Sequence, residues 1–140
     1  MTEPPYSGGY PPPPPPDQPY GYGYQQDPLQ DRMWILVTHF GGAAGALFGA
    51  GMLGWVAPLV ALVVRGNQSP VVRSEAVKGL NFHLLWGIIA LVGSVLTCIG
   101  IGVLILGAAT LIATVVGVIA GVKAANGEPF NYPMSARFLR

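Results

Sequence analysis

From Met33 to Lys123 only five of ninety-one residues carry a formal charge, and four of the five crowd between Arg65 and Lys78. On either side, residues 33–64 and 79–122 form runs of 32 and 44 residues without one Lys, Arg, Asp or Glu. Apolar runs of ~18 residues or more mark membrane spans, because ~20 helical residues cover the ~30 Å hydrocarbon layer. In lipid the backbone must satisfy its own hydrogen bonds, and a chain of this pattern does so as helices. The expected fold is an all-α membrane protein. It is a bundle of three to four transmembrane or half-spanning helices, with a short interfacial helix and a disordered Pro/Gly/Tyr-rich N-terminal tail.

The 140 residues leave room for one compact unit. Seven Lys and Arg against six Asp and Glu give no electrostatic footprint for nucleic acid, which is excluded as a partner. The single cysteine, Cys98, has no partner for an internal disulfide, and its apolar neighbours Val95, Leu96 and Ile99 suggest a buried, inert thiol. The first thirty residues lack a basic region followed by an apolar one, so the first membrane segment is expected to direct insertion.

Residues 1–31 differ in composition from everything that follows. They hold ten of the fourteen prolines, six of them consecutive (Pro11 to Pro16), and five tyrosines interleaved among glycines. Such a segment has too little apolar surface to offset the entropy of ordering it. It reads as a solvated tether or crowding brush, or more sharply as a docking strip for an aromatic groove or a weakly self-associating tyrosine segment.

The membrane domain, 32–140, opens at Trp34, placed for the interfacial aromatic belt. Residues 33–64 are interrupted by Gly49, Gly51, Gly54 and Pro58. They form either one long kinked helix or a hairpin of two short arms, about 34–48 and 52–64. The hairpin puts every Lys and Arg on one side of the bilayer, with both termini cytoplasmic in the cell membrane, as the positive-inside rule favours. Ser69 followed by Pro70 is a helix start, with a side-chain acceptor at the cap and proline at the first helical position. An interfacial helix over about 70–79 follows, then spans of about 80–97 and 103–122. Gly127 marks the helix stop.

Small residues recur at four-residue spacing. Gly41, Gly45 and Gly49 make one ridge; Gly42, Ala46, Ala50 and Gly54 make a second; Ala109, Ala113, Gly117 and Gly121 make a third. Close backbone approach across such ridges drives helix packing in lipid, either within the chain or between copies of it. His39 lies about a turn and a half into the first segment, where an ionisable group is a functional candidate; a neutral, hydrogen-bonded imidazole is the structural reading. His39 and His83 lie too far from other donors to suggest a metal site, and no cofactor is expected. Gly49 to Gly54 matches G-x-G-x-x-G only formally, since a dinucleotide fingerprint needs a strand and a βαβ unit around it. With few carboxylates and no nucleophile signature, no enzymatic activity is expected.

Several ordered elements resemble a known family. They are Trp34 with Thr38, His39 and Phe40; Ala57, Pro58 and Leu59; Ser69 to Val72; Glu75 and Ala76 with Asn81 and Phe82; and Lys123 to Glu128 with Tyr132 and Pro133. As a set they are similar to the bacterial domain-of-unknown-function family numbered 4870, itself distantly similar to the chloroplast inner-envelope import-channel (Tic-twenty-like) proteins. His83 departs from the glutamine usual there after Asn-Phe. The resemblance implies a bundle of three or four helices with cytoplasmic termini. The functional expectation is a structural or interaction component whose partners are the lipid bilayer and other membrane proteins or itself. The alternative is a subunit of a protein or solute translocation pore with His39, Asn81 and Glu75 as polar lining.

Overall fold

The computed structural model describes residues 27–139, and the expectations for the proline-rich tail fall outside them except at its last few positions. The described residues are all helical or irregular, with no strand. Helix α1 (Pro28–Leu36), a π-helical turn (Val37–Gly41) and α2 (Gly42–Phe48) run on as one rod. After a turn come α3 (Val56–Arg65), α4 (Pro70–Val95), a 3-10 turn (Leu96–Ile99) and α5 (Ile101–Ala125).

Each boundary has a local cause. Asp27 caps α1 by accepting from the Leu29 and Gln30 amides, with Pro28 at the first helical position. The helix therefore begins inside the stretch expected to be tail. The glycines of residues 49–54 make the turn of a hairpin: Gly51 has φ +83° and Ala50 φ +49°, so the chain reverses through the left-handed region. Pro58 lies in the first turn of α3, where its missing N–H costs nothing, so it starts that helix rather than kinking it. Residues 52–55, expected to be helical, belong to the turn.

Ser69 caps α4 by accepting from the Val72 amide at 3.3 Å. From there the helix runs unbroken for 26 residues, so no separate interfacial helix ends near residue 79. Gly79, the expected joint, sits in mid-helix because the rod and α3 come close there: a Cβ on it would lie 3.0 Å from Thr38 Cγ2. Gly100, at φ +83°, separates α4 from α5. Cys98 lies exposed in the turn between them, which corrects the expectation of a buried thiol. Its apolar neighbours surround it in sequence but project past the packed part of the bundle. Helix α5 closes in a Schellman arrangement, Glu128 N–H to Lys123 O at 2.9 Å and Gly127 N–H to Ala124 O at 3.1 Å.

Among the described residues two helices, Pro70–Ile99 with its 3-10 turn and Ile101–Ala125, are long and apolar enough to cross a membrane. Only 28% and 22% of their apolar windows are buried within the chain. A core helix of a soluble protein hides most of such a surface; these present it outward.

The small-residue ridges lie at helix contacts within the chain. A Cβ on Gly41 would come 2.7 Å from Ala57 Cβ, and one on Gly45 2.6 Å from the Leu53 carbonyl oxygen. Gly49 closes α2 against Leu53. In α5, Ala109 and Ala113 belong to the core formed with Ala46, Phe82, Trp86 and Ala90. Further along, a Cβ on Gly117 would meet Ala43 at 3.0 Å, and one on Gly121 would meet the Phe40 ring at 2.8 Å.

Candidate functional site

The start of α1, the end of α3, the start of α4 and the end of α5 meet at one end of the bundle, and the polar side chains gather there. Thr38 and His39, in the π-helical turn, are both fully buried. Thr38 Oγ1 donates back to Trp34 O at 2.9 Å. His39 Nδ1 lies 2.6 Å from the Tyr132 hydroxyl, and Nε2 lies 3.3 Å from Glu75 Oε2. A carboxylate only accepts, so the neutral tautomer that suits both partners has its proton on Nε2 and receives the tyrosine proton at Nδ1. The Nε2 approach is not aligned as a hydrogen bond and acts as an electrostatic contact. Lys78 Nζ completes the series, donating to Glu75 Oε1 at 2.7 Å.

This Tyr132–His39–Glu75–Lys78 chain joins three separate parts of the sequence: the rod, α4 and the C-terminal segment. Tyr132 also stacks on the fully buried Phe82, with ring centroids 4.5 Å apart and planes 28° from parallel. Burial, and after it the negative charge of Glu75, pushes the Tyr132 hydroxyl well above the ordinary phenol range. The unfolded chain loses this proton near pH ~10, so above that pH the folded state binds more protons and stability falls as pH rises. Below it the contribution is fully present. The thermal midpoint should therefore hold up to about pH 10 and fall steadily as pH rises beyond it, and Tyr132→Phe should flatten that decline.

Asn81 fastens the rest of the C-terminal segment. Its Oδ1 accepts from the Phe138 and Leu139 amides at 3.1 and 2.8 Å, and its Nδ2 donates to Leu139 O at 2.9 Å. The partner is the segment's backbone, not another helix. Asn81→Leu removes all three bonds, each with a net value of ~1 kcal/mol. Limited proteolysis should then cut within residues 130–139 at least tenfold faster while helix content by circular dichroism is retained. Pro133 lies exposed in the turn after Tyr132. Pro58 is buried in the hairpin, 3.6 Å from the place a Gly79 Cβ would take.

His83 is placed differently. Its ring is fully buried between the hairpin arms, where a Cβ on Gly42 would fall 2.5 Å from Nε2 and one on Gly54 2.5 Å from Nδ1. Phe82 meets it edge-on at 5.2 Å. The imidazole fills a slot that exists because both walls are glycine.

The sequence reading missed one polar group. Asp31, 7% exposed, accepts from Ser69 Oγ at 2.6 Å and from Arg65 Nε at 3.1 Å. Asp31 and Arg65 flank the same apolar run, so the hairpin itself was the signal that they meet. Beside them Arg32 donates to the Ala125 carbonyl at 2.5 Å, tying α1 to the end of α5. Among the described residues no group of three or more His, Cys, Asp or Glu side chains is placed to hold a metal ion.

Residues 30–139, which include every helix core and all of these polar contacts, match the magnetosome magnetite crystal formation protein family, MamF/MmsF. The chain belongs to this family. The match overturns the resemblance to the family numbered 4870 and to the import channels, and the pore alternative loses the analogy on which it stood. The elements that carried that resemblance are helix caps, turn prolines and packing residues, as the structure shows for Ser69, Pro70, Pro58 and Phe82. They report bundle architecture more than lineage. No curated protein and no solved structure matches this family member.

Proposed function

We propose that this chain is a multi-pass integral membrane protein without catalytic activity, a structural component of the magnetosome-type membrane in which its family takes part in magnetite crystal formation. The observation that carries the reading is the outward apolar surface of Pro70–Ile99 and Ile101–Ala125. The polar cluster supports a structural role, because Tyr132, His39, Glu75 and Lys78 are engaged with one another. The charged end, where Asp31 meets Arg65 and Arg32 meets Ala125, is read as the cytoplasmic side. The bundle then serves as an anchor, with lipid and neighbouring membrane proteins as partners.

Sided labelling tests the topology. Ser7→Cys and Ser135→Cys, each made in a Cys98→Ser background, should react only from the cytoplasmic face, while the native Cys98 should not react from that face. Labelling of the two serine positions from opposite faces overturns the topology. Alkaline carbonate tests the membrane reading: release of the folded chain into the supernatant removes it. Fractionation against cell-membrane and magnetosome-membrane markers decides the compartment. Deletion in a magnetite-forming cell should change crystal size or shape, and unchanged crystals would remove the part concerning mineral formation.

A further inference from the structure

A cleft of about 760 Å³ opens at the charged end between the first turns of α4 and the C-terminal segment. Arg73 and Lys78 line it from α4, and Ser135 and Arg137 line it from the segment that Asn81 holds in place. Among the described residues no carboxylate lines it. Lys78 shares its charge with Glu75, but neither Arg73 nor Arg137 has an ion-pair partner among the described residues. Two exposed guanidinium groups thus border one cavity uncompensated. Val77 and Leu139 give the same cleft an apolar flank.

We propose that this cleft binds the phosphate group of an anionic lipid headgroup. Guanidinium forks suit phosphate because they offer paired N–H donors in a fixed plane. The cleft sits where α4 passes from its charged first turns to its apolar length, the level at which headgroups lie on a membrane-spanning helix. The apolar flank meets the glycerol and upper acyl carbons. The second cavity, between α1 and the end of α5, is lined by Arg32 together with three carboxylates, Asp31, Glu75 and Glu128, each already paired to a cation or imidazole. The Glu75–Lys78 pair divides the two.

The source of the phosphate, though not the anion chemistry, rests on the membrane reading above. The test uses the purified full chain in phosphatidylcholine nanodiscs, titrated with fluorescent phosphatidylglycerol. Affinity should fall about fivefold for Arg73→Gln and for Arg137→Gln and about 25-fold for the pair. Lys123→Gln, a cation outside the cleft, should leave it unchanged. Neither arginine makes a described ion pair, so circular dichroism should show the fold intact. Equal affinity in the wild type and the double variant overturns the site, as does an equal loss in Lys123→Gln. Binding of inorganic phosphate with the same arginine dependence but no lipid preference overturns the lipid assignment. Carbonate release tests the membrane reading separately, so a chain that stays embedded yet shows no arginine dependence sinks this proposal alone.

Discussion

Gly42→Ala should cost the bundle about 2–3 kcal/mol, a large fraction of what a small domain has to lose. The added methyl would lie 2.5 Å from His83 Nε2, 2.9 Å from its Cδ2 and 3.2 Å from the Gly54 carbonyl oxygen. On the ring's other edge a Cβ on Gly54 would fall 2.5 Å from Nδ1, so the hairpin backbone stands close to the imidazole on both sides. Overpacking of this kind is relieved only by moving backbone, and here the backbone is the hairpin itself. Thermal unfolding in detergent micelles checks the loss. The cycle with His83→Ala identifies the cause: removing the ring makes room, so the double variant should be markedly more stable than the two single losses add up to. Strict additivity would mean that the glycine matters for some reason other than the imidazole slot.

Asp31→Ala should be comparably severe, costing about 3 kcal/mol. The Asp31 and Arg65 side chains are only 10% and 12% exposed, and Ser69 donates to the same carboxylate. Deleting the acid leaves a poorly solvated guanidinium and frees the hydroxyl that caps α4. It therefore loosens α1, α3 and α4 together. Glu128→Ala is the matched control. Its partner Lys123 stands 3.7 Å away, and the two side chains are 45% and 57% exposed, so its loss should be nearly neutral. Chemical denaturation of the two variants side by side would show the difference; similar losses would mean that burial at Asp31 contributes little.

The helical nature of the chain and its two long apolar helices were legible in the sequence because lipid allows so few backbone solutions. Glycine and proline punctuation pointed to the hairpin, though Pro58 begins a helix instead of interrupting one. What could not be read was pairing. His39, Glu75 and Tyr132 were each noticed, but they come from the rod, α4 and the C-terminal segment, and no spacing rule connects residues so far apart. Asp31 was placed at the edge of the proline-rich tail, so its pairing with Arg65 and Ser69 across the hairpin was not anticipated. Cys98 was misjudged because apolar neighbours in sequence do not bury a residue at the tip of a turn. The family was misjudged because caps and packing residues recur wherever helices bundle.

The distribution of ions also bears on how the chain reaches its place. Neither the Gly49–Trp55 reversal nor the Leu96–Gly100 tip carries a Lys, Arg, Asp or Glu. Both loops can be threaded through hydrocarbon without dragging a solvated ion, each of which would add ~2.5–3.5 kcal/mol at the bilayer centre. On the topology proposed above, each hairpin thus enters tip first, from the face on which its charged residues stay behind.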